Sequence, residues 1–506
     1  MTMTHKQLKL IVLSILLFTT IIFIWKSIIL IFFSYSIEHA EGEILQFALL
    51  VAKGHNLYPE LNSHSPFIGC NYPPLYIFLS SLLFKIFYPG LIWGRIISFM
   101  SILTIGFIIY KICRALNVSK SASLTAAMVF YSLPAINVFS TIFRPHVLSV
   151  CLSVSGFYLT IPGNNINNER HGKLSISEIS GILLMVLGTS AKQTAVFAPI
   201  AYIIFVFFHY QKDKKYILRF ITLLIITSVV HLGLTAYYGL NYLNWVIFYA
   251  SGKYSLINFA GYMIAFLKEN FLLASPALLF SISLIVNRNN PATCSIKRIP
   301  HRYSYFIIYF IIILFSLLLL SKIGSSIAYF YEFFVLCSIW IGLIVNKIFH
   351  STSQIKSSII LPILFVIVLI THIIVNKDII YNANLENMAD IKSRDDIILK
   401  ILDKIPGILI SEDPLYVYKS KKQIYLVNPF IYSELAKKKI WAYDQIIKDI
   451  DKGTISAFCI NSPIDHPSLL TSDRFGKVLL LEFQKRFKYH IKIGNRFLYF
   501  KKPLIH

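Results

Sequence analysis

Four carboxylates, Glu38, Glu41, Glu43 and Glu60, fall between residues 35 and 90 of a chain that carries only nine acidic residues before Val375. The stretch reads Tyr35-Ser-Ile-Glu-His-Ala-Glu-Gly-Glu43, then Gly54-His-Asn-Leu-Tyr58, Asn71-Tyr-Pro-Pro-Leu-Tyr76 and Trp93-Gly-Arg95. Carboxylates at a membrane surface are costly to place and usually have work to do. A carboxylate beside an acceptor hydroxyl acts as a general base. Cations accompany them: Lys85, Arg95, Arg144, Lys192, Lys253 and Lys322 fall at the ends of apolar runs, with Gln193 beside Lys192 and Glu332 in Tyr329-Phe-Tyr-Glu332. A basic cluster at membrane depth suits a phosphate or pyrophosphate headgroup on a lipid carrier. The Glu41-Gly-Glu43 pair could also hold a divalent cation such as Mg or Mn, although two carboxylates are a weak metal signal; no other cofactor is indicated.

The elements that position these residues are membrane spans. The 506 residues are 56% hydrophobic and 15% aromatic, beyond the roughly 45–50% apolar content of soluble chains. Several apolar runs approach the roughly 20 residues that cross a bilayer. The formal charge of +24 sits mostly in short loops, as the positive-inside rule demands, and no alternation of aromatic and basic residues suggests a nucleic-acid groove. Lys6 and Lys9 precede a long apolar run without a small-residue cleavage site, which reads as a retained signal-anchor.

Charge fixes the topology. Spans near 10–34, 91–110, 122–139, 147–161, 176–190, 194–209, 216–237, 271–286, 303–320, 327–345 and 357–375 place the basic segments around Lys111–Lys120, Glu169–Lys173, Lys212–Lys215, Arg288–Arg302 and Lys347–Lys356 on one side. Pro74–Tyr88 then stays outside as an interfacial helix, and residues 238–267 form an outer loop. The expected fold is an α-helical polytopic membrane protein of about eleven spans (residues 1–376, N-terminus cytoplasmic), with an extracytoplasmic small α/β domain (377–506). That tail holds fifteen of the twenty-four acidic residues. Residues 407–410, 423–427 and 456–460 read as strands, 390–404, 432–439 and 443–452 as helices, and 478–487 with 488–501 as a closing hairpin.

Several polar residues have plainer readings. Lys85 and Lys253 can snorkel to the interface, Glu332 can pair with Lys322, and Arg144 can bind lipid headgroups. His231 on an apolar run reads as a packed histidine. The sequon at Asn117 falls inside. The six cysteines show no metal-ligand spacing.

The ordered blocks resemble GT-C type glycosyltransferases, in particular family 39 protein-mannosyltransferase-like and aminoarabinose-transferase-like members. The blocks are Glu41-Gly42, Gly54-x-x-Leu-Tyr58, Tyr72-Pro-Pro-Leu-Tyr76, Gly94-Arg95, Phe143-Arg-Pro-His146, Lys192-Gln-Thr194, Tyr329-Phe-Tyr-Glu332, and in the tail Ser411-Glu-Asp-Pro414, Asn428-Pro-Phe430 and Trp441. The resemblance implies inverting transfer from a polyprenyl-phosphate-linked sugar to a lipid, glycan or protein acceptor at the outer face of a cell membrane. It implies Glu41 as base, with Glu43 and Glu38 sharing the role; Arg144, Lys192, Lys85 and Arg95 around the donor phosphate; and Tyr58, Tyr76, His146, Gln193 and Glu332 on substrate. Two positions depart from the pattern: Ala40-Glu41 stands where an Asp-Glu-like pair is usual, and Arg144-Pro-His146 where Arg-x-Asp is usual. A transporter or flippase of lipid-linked sugar would place its charges at mid-membrane with inverted repeats. A glycan polymerase or ligase would want a large basic outer loop, and residues 238–267 are modest.

Overall fold

The structure, a computed structural model, describes residues 4–61, 65–162, 174–210, 215–249, 253–286, 301–350, 359–465 and 474–503. The inner segments 169–173, 212–214 and 288–298 and Lys356, on which part of the topology argument rests, lie outside these.

The membrane part is helical. In chain order come α1 (His5–Phe32), α2 (His39–Ala52), α3 (Leu75–Ile86), α4 (Leu91–Ala115), α5 (Lys120–Ser132), α6 (Pro134–Phe139), α7 (His146–Thr160), α8 (Ile176–Ala191) and α9 (Phe197–Tyr210). Then follow α10 (Lys215–Tyr238), α11 (Leu256–Val286), α12 (His301–Ser316), α13 (Tyr331–His350) and α14 (Ile360–Val375). Every stretch read as a span carries a helix. Among the described residues, six have both the length and the hydropathy to cross a membrane: His5–Phe32, Leu91–Ala115, Gln193–Tyr210, Tyr216–Tyr238, His301–Ser321 and Ile327–Phe349. His146–Thr160, Ile176–Ala191 and Ile360–Val375 are apolar but shorter.

Local chemistry sets the ends. Thr4 closes a capping box on α1, and Ser119 and Ser175 cap α5 and α8, each filling an N–H that a helix start leaves unpaired. The run 122–139 is two helices rather than one, because Leu133, held extended before Pro134, breaks it. The connection after α10, expected over 238–267, is shorter, since helix resumes at Leu256.

Small residues bring α7 and α8 into contact. A Cβ on Gly156 would fall 2.5 Å from the Gly181 carbonyl, and one on Gly188 3.0 Å from Ser153 Oγ. Such close approach is the usual way helices associate where no hydrophobic effect drives them together. It sets the start of α7 against the end of α8. α13 runs almost wholly enclosed between its neighbours, with Gly342 against Ala126 and Cys113, and its N-terminal end meets the same place.

Past the membrane helices come α15 (Lys377–Asn382), α16 (Met388–Lys404), β1 (Ile408–Ser411), α17 (Leu415–Lys419), α18 (Pro429–Lys437), α19 (Asp444–Asp451), β2 (Ile455–Ile460), α20 (Lys477–Arg486), β3 (Tyr489–Ile493) and β4 (Arg496–Phe500). The sheet order is β1-β2-β4-β3, with β1 and β2 parallel and the other pairs antiparallel. Two expectations need correction. Residues 423–427 do not enter the sheet; their backbone pairs with Phe67 of the outer segment. Residues 477–486 form a helix that buries Leu479, Leu480 and Phe483, and the hairpin lies wholly within 489–500.

The sheet has two faces, as the period of two requires. Leu409, Ala457, Cys459 and Leu498 pack with Ile398 and Leu402 of α16. Ile408, Ile410, Phe458 and Tyr499 join a core shared with the outer segment, which includes Leu57, Tyr58, Phe67, Tyr76, Phe143 and Trp245. Phe67 packs edge-on against Tyr432 and Trp441. The tail and the outer segment therefore share one apolar core, although their sequences lie hundreds of residues apart.

Candidate active site

Helix α2 carries Glu41 and Glu43, with Glu38 at its N-cap, and lies where the membrane helices meet the tail. Gly42 sits at the contact: a Cβ there would come within 2.5 Å of Asp413 Oδ1 and 2.6 Å of the Leu415 nitrogen. Gln46 donates to the Pro414 carbonyl at 3.1 Å.

Glu41 is fully buried and faces the membrane helices. Its Oε1 accepts from Arg95 Nε at 2.8 Å and from the Phe143 nitrogen at 2.9 Å. Its Oε2 accepts from Arg95 Nη2 at 2.7 Å and from the Ile37 nitrogen at 2.9 Å. Arg95 also donates to the Leu30, Phe33 and Tyr35 carbonyls, so all five guanidinium N–H groups have acceptors. In this geometry the four lone pairs of Glu41 and the five donors of Arg95 are all engaged; where the sequence leads us to expect a base and a phosphate-binding cation, the structure shows an ion pair that ties α1, α2, α4 and the α6–α7 turn together. Glu41 and Glu43 do not converge on a shared cation either.

Glu43 and Glu38 face the other way. Glu43 Oε2 accepts from Asn428 Nδ2 at 3.0 Å. Burial pushes its carboxyl up to about 8, Arg144 and Arg474 pulling down and Glu38 and Asp413 pushing up. Glu38 Oε2 lies 3.1 Å from Arg144 Nη1, and burial raises this carboxyl against the pull of Arg144. Burial draws Arg144 down, but Glu38, Tyr72 and Glu43 more than reverse it. Asp413 is pushed up to about 7, first by burial. Arg474 bonds Glu412 and reaches His39 Nδ1 at 3.3 Å.

Beside this cluster a cavity of about 30 Å³ opens between the start of α7, the end of α8 and the start of α13. His146, Lys192, Tyr329 and Glu332 line it. Lys192 Nζ stands 4.1 Å over the Tyr329 ring. Burial, and then Arg144 and Lys322, hold its ammonium well below the ordinary lysine range, with Glu332 opposing. Glu332 therefore answers Lys192 rather than pairing with Lys322. Buried polar atoms without a partner gather here: Arg144 Nε, His146 Nδ1, Asn71 Oδ1 and Gln193 Oε1. Buried polar groups are normally satisfied, so such a concentration marks where a polar ligand fits.

The structure brings together Glu38, Glu43, Arg144, His146, Lys192 and Glu332, with Gln193 bonded to the Asn71 carbonyl at 3.0 Å. It sets others apart. Tyr58 and Tyr76, expected from the sequence on substrate, are fully buried away from the cavity and donate their hydroxyls to the Tyr72 and Gly94 carbonyls. Lys85 is exposed at the end of α3. His231 is packed as expected, between Thr189 and Tyr242. Tyr72, Asn428, Asp413 and Arg474 were not singled out as site residues. The first three lie in blocks quoted for the resemblance; Arg474 gives no signal in the sequence.

Comparison with known proteins agrees with this architecture. A family model described as dolichyl-phosphate-mannose-protein mannosyltransferase matches residues 71–232. No curated protein sequence matches the chain. Among solved structures, ArnT from Cupriavidus metallidurans bound to undecaprenyl phosphate is similar with a TM-score of 0.58 at 11% identity, over 96% of this chain and 98% of that one. The oligosaccharyltransferase of Archaeoglobus fulgidus in the apo form gives 0.59 at 11% identity, over 95% and 73%. The same archaeal enzyme in complex with an inhibitory peptide and a dolichol-phosphate gives 0.58 at 10% identity, over 97% and 74%. The chain is thus a multi-pass membrane protein with the fold of the GT-C type glycosyltransferases.

Proposed function

We propose that this protein transfers a glycosyl group from a polyprenyl-phosphate-linked donor to an acceptor at the outer face of the membrane, with inversion. The observation that carries this reading is a charge cluster at the α6–α7 turn: Arg144 faces the carboxylates Glu38 and Glu43, keeps Nε without a partner, and adjoins Lys192 on the wall of the neighbouring cavity. The cavity also lies at the N-terminus of α7, where free backbone N–H groups favour an anion. The match of residues 71–232 to a dolichyl-phosphate-using family and the undecaprenyl phosphate and dolichol-phosphate of the two similar structures support the donor class.

In this scheme the acceptor oxygen forms a bond to the anomeric carbon while the bond to phosphate breaks. The electron pair leaves with polyprenyl phosphate, whose charge Arg144 and Lys192 stabilise. The acceptor proton passes to Glu43, whose raised affinity for protons suits a base working near neutral pH. Glu38 orients Arg144. The test is transfer by the purified protein in vesicles loaded with polyprenyl-phosphate sugars, followed by release of polyprenyl phosphate. Release that needs both sugar donor and acceptor supports the reading. Movement of intact lipid-linked sugar across the vesicle without release would instead favour a flippase.

A further inference from the structure

We infer that Asn428, contributed by the C-terminal domain, is a positioning residue for the transfer: its side-chain amide holds the Glu43 carboxylate, so the outer domain completes the active site. This rests on the reading of Glu43 as the acceptor base.

The geometry fixes the amide from both ends. Asn428 is the N-cap of α18, and its Oδ1 accepts from the Ile431 nitrogen at 3.0 Å. With the oxygen engaged in the cap, the NH₂ must point away from the helix, and it meets Glu43 Oε2 at 3.0 Å. Both residues are buried. Pro429 follows at the first helical position, where a ring costs no hydrogen bond, so the direction of the cap is set by the local sequence. The domain cannot drift from α2, because Gly42 lies against Asp413 and Leu415 and Gln46 holds the Pro414 carbonyl.

The charged and titratable groups facing Glu43 come from several elements: Glu38 at the start of α2, Tyr72 and Cys70 in the outer segment, Arg144 in the α6–α7 turn, and Asp413 and Arg474 in the tail. Against that mixed field, the Asn428 amide gives Glu43 a direct neutral donor. A donated hydrogen bond favours the ionised carboxylate, the form a base needs, and fixes which oxygen stays open to the acceptor.

The test uses full-length protein in vesicles with Asn428→Asp and Asn428→Ser. Asp and Ser both cap helices, so α18 keeps its start. Asp puts an oxygen where the NH₂ stood, and Ser is too short to reach. The acid limb of the pH–rate profile should move up by roughly one to two pH units, the size of one hydrogen bond to a charged group, and turnover at neutral pH should fall while thermal unfolding changes little. An activity-independent readout is the infrared carbonyl band of a protonated carboxyl, assigned to Glu43 by its loss in Glu43→Gln. Its midpoint should shift upward by the same amount. An unmoved band and an unmoved acid limb in folded variants would reduce Asn428 to a helix cap and overturn the inference; if Asn428→Asp does not fold, Asn428→Ser decides by the same two readouts. A shifted band in a protein that transfers no sugar even as wild type would overturn the transferase reading and the catalytic role with it, leaving only the contact.

Discussion

The two sides of α2 treat their carboxylates in opposite ways. Glu41 and Glu43 are two residues apart, about 200° around the helix. On the Glu41 side every strong donor and acceptor is matched: four hydrogen bonds to one carboxylate, five acceptors for one guanidinium. On the Glu43 side, toward the cavity, buried polar atoms of Arg144, His146, Asn71 and Gln193 stay open. A saturated polar cluster organises the fold; an unsaturated one is arranged for something that arrives later.

The largest effect expected from this contrast is on folding. Arg95→Ala leaves Glu41 charged, buried and without its main partner. Glu41→Gln puts an amide NH₂ against donors and strands the guanidinium. Removing one member of a buried pair typically costs about 3–5 kcal/mol, a large share of a domain's total stability of roughly 5–15 kcal/mol. Both variants should give little monodisperse protein in detergent, or a strongly lowered unfolding temperature. Normal stability combined with lost transfer in Glu41→Gln would return the base to Glu41 and erase the distinction between the two sides.

Next in size is catalysis. Glu43→Gln keeps volume and can still accept from Asn428, but it cannot take the acceptor proton. Transfer should fall by roughly a hundredfold or more, the usual size of a general-base contribution, with unfolding temperature and donor binding preserved. If Glu38→Gln loses transfer instead, the side is right and the residue is wrong. Full activity in both would remove the transferase reading itself. Exposed Glu60 is the control, and Glu60→Gln should be silent.

Which carboxylate faces which way was the part the sequence could not show. Hydropathy and loop charge locate the membrane helices, since burial in lipid leaves a long apolar run for each, and the acidic shift after Val375 marks where the tail begins. The sequence leads to no expectation of a helix over 39–52, so the rotation that separates Glu41 from Glu43 is not visible there. The partners that decide their roles, Arg95 and Phe143 for one and Asn428 for the other, are distant in sequence, and no local pattern encodes such contacts. The same holds for residues 423–427: they have strand-like composition, yet they pair with Phe67 across the shared core. Arg144 and Lys192 stand out in the sequence because a lone cation at a span end is costly enough to need a reason.

Those two cations provide the third and smaller test. Arg95 has no free donor, whereas Arg144 pairs with Glu38 but keeps Nε without a partner, and Lys192 stands over the Tyr329 ring with Glu332 nearby. Lys192→Ala should therefore spare the fold, and Arg144→Ala, which strands only the partly exposed Glu38, should cost less stability than Arg95→Ala; both should raise KM for the lipid-linked donor by one to two orders of magnitude, since a charge-assisted contact contributes roughly 1.5–3 kcal/mol. The crossed outcome, stability lost and donor use kept, would make them anchors like Arg95.

The smallest effect is expected at Lys85, which the sequence groups with the donor-phosphate cations and the structure does not. It occupies the last turn of α3, whose inner face buries Tyr76, Ile77, Ser80, Ser81 and Phe84. Its outer face exposes Phe78, Leu82 and Ile86 at the four-residue spacing of one helical stripe, continued by Phe87 and Tyr88. An apolar stripe ending in aromatic residues and a lysine describes a helix lying in the membrane interface. There the lysine's carbon stem covers apolar surface while its ammonium reaches the headgroups. Its charge also stands beside the carbonyl end of the helix dipole, worth about 0.3–1 kcal/mol at an exposed site. Lys85→Ala should therefore lower stability by no more than that and leave donor KM and turnover within about twofold. A tenfold rise in donor KM for Lys85→Ala, with stability intact, would mean that the phosphate site runs out along α3 to the membrane surface. The unsaturated side of the molecule would then be larger than the cavity at Lys192.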